Sequence, residues 1–192
     1  PKEQGDVAKE ATKLVDYINN PTEEAAKLRG FMFAQYLGGS MAAGLVNMTQ
    51  PVLMTFPYLS QFGVKNSASH MASGLKDVSN WFINKDVKDA DLQHALTVAQ
   101  NRGITAPQEI FQMIAAAQGS TGSFYGHKFM RMWGANFAMT EAFNRVLTFA
   151  AAYRIGREMT AGALNKAGAK DVFEFAERAV EDTQGIYNKG NR

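Results

Sequence analysis

The 192-residue chain contains no cysteine, which excludes a disulfide framework, thiolate zinc sites and a cysteine nucleophile while leaving the compartment open. Histidine is scarce as well. His70, His94 and His127 are scattered, with no second histidine at ligand spacing, so neither a metal nor any other cofactor is expected. Period-two alternation is missing throughout, so no strands are expected and the class is all-α. The formal net charge of +2 is too near zero to argue for nucleic acid by itself. The largest gap is in charge: residues 30–64, GFMFAQYLGGSMAAGLVNMTQPVLMTFPYLSQFGV, hold no Asp, Glu, Lys or Arg. A run of this kind must leave water, for a protein core or for a bilayer.

What is present is mostly apolar and helical in spacing. At 46% hydrophobic, with ten Met and thirteen Phe, the chain can bury a real core of soft, adaptable side chains. The start, Pro1-Lys2-Glu3, has no initiator Met and no positive region followed by an apolar one, so no signal peptide is expected. With the polar end Asn188-Lys189-Gly190-Asn191-Arg192, this reads as a piece of a longer polypeptide.

The spacing predicts an amphipathic helix over residues 6–19, then Asn20-Pro21-Thr22-Glu23-Glu24 as cap, first-turn proline and first-turn acids. A long apolar helix follows at about 21–49, charge-free from Gly30 onward and interrupted by Gln50-Pro51. Pro51 and Pro57 divide the next stretch into short pieces, with a stop at Gly63. Residues 67–84 read as a helix, Asp89 as the cap of another ending at Gly103, and Thr105 as the start of one ending near Gly119. Residues 119–123 read as a hinge, dividing an N-terminal helical region (1–118) from a C-terminal one (124–192). The latter holds one long central helix over about 124–165, a break at 167–169, and a last helix from 171 to about 187. The expected architecture is a multi-helix bundle.

Within the charge-free run, Ala34, Gly38 and Ala42 are four apart, as are Gly39 with Ala43 and Ser40 with Gly44. Small residues at this spacing let another helix approach closely, as in membranes, so these seven are the expected helix-packing or membrane-contact positions. The uninterrupted part, residues 30–46, spans only about 25 Å at about 1.5 Å per residue, short of a hydrocarbon core of roughly 30 Å. A helix buried in a protein core is therefore the first expectation, ahead of conditional insertion after a conformational change, with stable spanning last.

On the long helix, Met130, Trp133, Phe137, Thr148, Ala151 and Ile155 share one stripe, yet Phe143, Val146, Phe149 and Tyr153 occupy much of the other side. A helix apolar on both sides should be sandwiched between layers or contact another subunit. Met130, Trp133, Phe137, Phe149 and Tyr153 are the expected subunit contacts. Lys128, Arg131, Arg145 and Arg154 make the region locally basic and are the candidate phosphate contacts, with a salt-bridged face as the commoner explanation. No catalytic constellation emerges. Ser120-Thr121-Gly122-Ser123 lacks the lysine of a phosphate loop, Asp86, Asp89 and Asp91 lack the glycine and distal glutamate of a calcium loop, and Glu23-Glu24 and Glu181-Asp182 are adjacent pairs that do not face each other. No enzymatic role is expected.

The words Leu28-Arg29-Gly30-Phe31-Met32-Phe33, Tyr36-Leu37-Gly38, Leu45-Val46-Asn47-Met48-Thr49-Gln50 and Pro57-Tyr58-Leu59 resemble, in that order, a segment of the very large internal virion proteins of tailed bacteriophages. Phe143-Asn144-Arg145, Ala151-Ala152-Tyr153-Arg154, Asp182-Thr183-Gln184, Tyr187 and Asn191-Arg192 look like later landmarks of the same family, so the resemblance spans about residues 20–192. The family's asparagine-arginine usually continues into proline and more polypeptide, where this chain stops. The resemblance implies a structural protein stored in the virion interior, ejected with the genome, and contributing to a conduit through the host cell envelope. Its implied partners are other copies of itself and other virion core or portal proteins, then host membrane after ejection, with nucleic acid a weak further partner. Two other readings stand beside it: an accessory helical domain of a virion-packaged polymerase or nucleic-acid enzyme, and a plain capsid-interior scaffold layer.

Overall fold

A computed structural model describes residues 9, 11–13, 46–84, 86–105 and 127–184. Among these residues the regular structure is helical and no strand occurs, so the chain is all-α. In chain order, a π-helical turn at Pro51–Thr55 leads into α1 (Phe56–Ser60), α2 (Val64–Asn84), α3 (Ala90–Asn101), α4 (His127–Glu158), α5 (Ala161–Lys166) and α6 (Val172–Gln184).

Several boundaries have a local cause. Pro51 occupies the first position of the π turn, where its missing N–H breaks no bond, and the turn closes through Phe56 N–H to the Pro51 carbonyl. Pro57 sits within the first two positions of α1, so each proline opens a short piece. Gly63, at φ 128°, turns the chain from α1 into α2. Asp89 caps α3 by accepting from Leu92 N–H at 3.2 Å, and Gly103 follows that helix at φ 78°. Asp171 Oδ1 accepts from Glu174 N–H at 2.8 Å and starts α6.

One expected boundary is corrected. The long helix does not run to residue 165: it ends at Glu158, and Thr160 turns extended and caps α5 by accepting from Ala163 N–H at 3.3 Å. The expected helices at 6–19, 21–49 and 105–119 and the hinge at 119–123 lie wholly or largely outside the described residues; Lys9 and residues 11–13 are helical.

Helix α4 is the axis of the fold, packed between α2 and α6 with α3 and the π turn also against it. Residues 144–152 of α4 are buried without interruption, the sandwich expected of a helix apolar on both sides. Its neighbours bury single stripes: Gly74, Val78 and Trp81 on α2, Leu92, Leu96 and Ala99 on α3, and Phe175, Ala176, Ala179 and Val180 on α6. Close approach of α2 to α4 depends on Gly74, where a Cβ would lie 3.0 Å from Leu147 Cδ1. Fully buried Phe149 meets the ring of Phe173 edge-on at 5.3 Å, and Phe62 meets Phe175 edge-on at 5.0 Å, burial worth about 1.5–3 kcal/mol for each enclosed phenyl.

Candidate functional site: a buried polar junction under an apolar surface

The most unusual chemistry lies inside. Glu141, Asn144, Arg145 and Thr148 of α4, spaced three, four and seven apart, form one row of polar side chains that are all buried. Arg145 Nε donates to Glu141 Oε1 at 3.0 Å, with side-chain exposures of only 4% and 1%. The guanidinium also donates through Nη1 to the Ile104 carbonyl and through Nη2 to the Gln184 carbonyl, each at 3.2 Å. It thereby holds the chain following α3 and supplies a cation to the last carbonyl of α6, the negative end of that helix. Asn47 Nδ2 donates to Glu141 Oε2 at 3.2 Å, and Asn144 Nδ2 donates to the Asn47 carbonyl at 2.6 Å.

One turn further along α4, the hydroxyls of Thr55 and Thr148 are 2.7 Å apart, and Gln184 Nε2 donates to both, at 3.3 and 3.4 Å. Thr183 Oγ1 donates to the Ala179 carbonyl at 2.7 Å. Two amide oxygens in the junction, Asn144 Oδ1 and Gln184 Oε1, are buried without a hydrogen-bond partner. Tyr58 extends the polar region toward Asp182. Burial, Asp182's charge and its hydrogen bond push the Tyr58 phenol up to about 12. Sequence words more than a hundred residues apart thus share one site: Asn47 to Gln50, Tyr58, Asn144-Arg145 and Asp182-Thr183-Gln184.

Directly outside the junction the polarity reverses. Asn47, Pro51 and Thr55, four residues apart, face inward, while Val46, Met48, Val52, Leu53 and Met54 are exposed, Val52 and Leu53 at 65% and 66%. A segment with polar groups inside and large aliphatic groups outside is the opposite of an ordinary surface helix. Large exposed aliphatic side chains gathered on one short segment make it the candidate contact face.

Several expected positions are corrected by this geometry. Arg145 is not a phosphate contact, because its guanidinium is buried and engaged by Glu141 and two carbonyls. Arg154 is half-buried and paired with Asp77, its Nε at 3.0 Å and Nη2 at 2.5 Å both donating to the one oxygen Oδ2. Phe149 is sealed in the chain's own core, so it is not a surface for a second subunit. Tyr153 stacks against it at 6.1 Å and is half-buried. The backbone of Lys128, Met130, Arg131, Trp133 and Phe137 belongs to α4, and their side chains lie outside the described residues, as do Ala34, Gly38, Gly39, Ser40, Ala42, Ala43 and Gly44 entirely.

The outer end of α4 is tied by exposed pairs. Arg157 Nη1 donates to Asp89 Oδ2 at 2.6 Å, and His70 Nε2 lies 3.0 Å from Glu158 Oε1. Burial acts to raise the Asp89 carboxyl, but the Leu92 N–H and Arg157 outweigh it and hold it below the usual carboxylate range. Among the described residues no three His, Asp or Glu side chains are grouped to hold a metal ion, and no helix is long and apolar enough to cross a membrane. Comparison with family models, curated proteins and solved structures returns no match for this chain.

Proposed function

We propose that the chain is a structural, non-enzymatic helical segment of an internal virion protein of a tailed bacteriophage, stored in the capsid and ejected with the genome to help form a conduit through the host envelope. The supporting observation is the inverted polarity of residues 46–55. Their inward side is satisfied by hydrogen bonds to α4 and α6, and their outward side offers Val46, Val52, Leu53 and Met54 to an apolar neighbour. Such a face suits assembly with virion core proteins or other copies before ejection, and with lipid or conduit subunits after it. The nucleic-acid reading draws less support, since Arg145 and Arg154 are engaged within the chain.

Quantitative mass spectrometry of purified virions and of the washed host-envelope fraction after infection tests the reading. Peptides of this chain are expected in both, and depleted from the envelope fraction by Leu53→Glu with Val52→Glu. Recovery from virions alone would select the scaffold-layer reading, and absence from virions would refute the proposal.

A further inference from the structure

Helix α4 binds its neighbours by two kinds of contact. Around Glu141, Asn144, Arg145 and Thr148 the joints are hydrogen bonds to three segments remote in the chain: residues 46–55, the Ile104 carbonyl, and Thr183-Gln184. From Phe149 to Gly156 the core contacts are apolar and aromatic, with Phe173, Phe175 and Val172 closing on Gly156 and Phe149, while Arg154 on the flank pairs with Asp77 of α2. We propose that the polar junction is a latch that opens as one unit, releasing residues 46–55 and the C-terminal turn of α6 together while the aromatic half stays closed.

The two halves differ in what opening costs. A hydrogen bond given up in the junction is replaced by one to water, so its net weight is small, and Asn144 Oδ1 and Gln184 Oε1 gain partners only when the junction opens. Re-exposing Phe149, Phe175 and Val180 carries the full cost of hydrating apolar surface. The junction also opens in concert. Arg145 is common to Glu141, Ile104 and Gln184, and Thr55 is common to Thr148 and Gln184, so displacing one partner leaves buried polar atoms that disfavour retention of the rest. Bistable elements of this kind are drawn from the low-stability end of a fold. The latch follows from the internal contacts alone and does not depend on the ejection reading.

Native-state amide exchange on the full chain at low urea tests it. In the wild type, peptides covering residues 46–55 and 181–184 should share one protection level, at least about tenfold below that of residues 149–155 and 173–180. Glu141→Gln removes the Glu141–Arg145 charge pair from the closed state, so residues 46–55 and 181–184 should lose protection together, by about tenfold or more. The second group should fall by the same factor, because the native state is weakened against full unfolding too. Phe175→Leu should lower the second group and leave the first within about threefold, since the aromatic half stays closed when the latch opens. Equal protection of both groups in the wild type would overturn the latch without any variant being needed. A response in Glu141→Gln of only one, or neither, of 46–55 and 181–184 would overturn it too, as would an equal loss in both groups in Phe175→Leu.

Discussion

Arg145→Met should be among the most damaging single substitutions in the described fold, although methionine fits the helix and resembles the aliphatic stem of arginine. Glu141 would keep only Asn47 Nδ2, at 3.2 Å, as a donor to a carboxylate that is 1% exposed, and the carbonyls of Ile104 and Gln184 would each lose a donor. Stranding one charge of a buried pair costs about 3–5 kcal/mol. Glu141→Met should cost about the same, since the guanidinium would keep its two carbonyl acceptors and lose the Glu141 carboxylate. The double variant removes both charges and their desolvation, so its loss should be only about 1–3 kcal/mol, well short of the sum of the singles. Urea unfolding followed by far-ultraviolet circular dichroism gives all three values, provided the slope with denaturant stays constant. The expected coupling is at least about 3 kcal/mol and insensitive to added salt, because the pair is shielded from counterions. Two single losses below about 1 kcal/mol that simply add would show the pair to be hydrated, and the junction as described would be wrong.

Two glycines of α2 and α5 should respond in opposite directions to alanine. At Gly74 the new Cβ would meet Leu147 Cδ1 at 3.0 Å with the Ala151 backbone behind it, so Gly74→Ala should lose about 1–2 kcal/mol despite better helix propensity; Gly162 has nothing within 4 Å, so Gly162→Ala should gain up to about 1 kcal/mol, both read from urea midpoints. Tyr58, whose phenol is pushed up to about 12, keeps its proton in the folded chain after an unfolded tyrosine has lost it. Its contribution is therefore complete below about pH 10 and declines as pH rises toward 12. Phenolate absorbance should show Tyr58 ionising with this delay beside Tyr153, whose phenol is also pushed up by burial, and Tyr58→Phe should remove the Tyr58 step alone; early ionisation of every tyrosine would contradict the contact with Asp182.

The parts of this fold that could be read from sequence are those decided within a few residues. Asp89, Asp171, Pro51, Pro57 and Gly63 act through their own backbone or the next turn, and each stands at or beside a boundary of the kind its chemistry predicts. The break at Met159 and Thr160 was hidden because helical spacing continues across it, and only the Thr160 cap separates α4 from α5. Arg145 was misread for a different reason. A cation beside Arg154 and Arg157 resembles a solvated face, and its burial depends on carbonyls about forty residues away on either side. A local signal was nevertheless present: Glu141 and Arg145 are four apart, and Asn144 and Thr148 fall in the same row. Polar residues filling a helical row amid apolar neighbours point to a buried network as readily as to a wet surface. Phe149 reads as a subunit contact because a second subunit could cover a helix apolar on both sides as well as the chain's own layers could, and here the chain's own elements bury residues 144–152.

The polar junction and the apolar surface above it are two aspects of one arrangement. Residues 46–55 belong to a stretch without a single formal charge, so their solubility rests on which of their side chains face water. In an ordinary surface helix Asn47, Gln50 and Thr55 would point outward and Val46, Val52 and Leu53 would fill the core. Here α4 and α6 present Glu141, Asn144, Thr148 and Gln184 to this segment, and satisfying those groups requires the asparagine and threonine to turn inward. The aliphatic side chains are then exposed by default. Replacing the α4 row with apolar residues of similar volume would remove the reason for that orientation and let the segment turn its valines and leucine toward the core. Retaining the polar row therefore keeps the aliphatic face of residues 46–55 at the surface, at some expense in stability that an all-apolar interior would not incur.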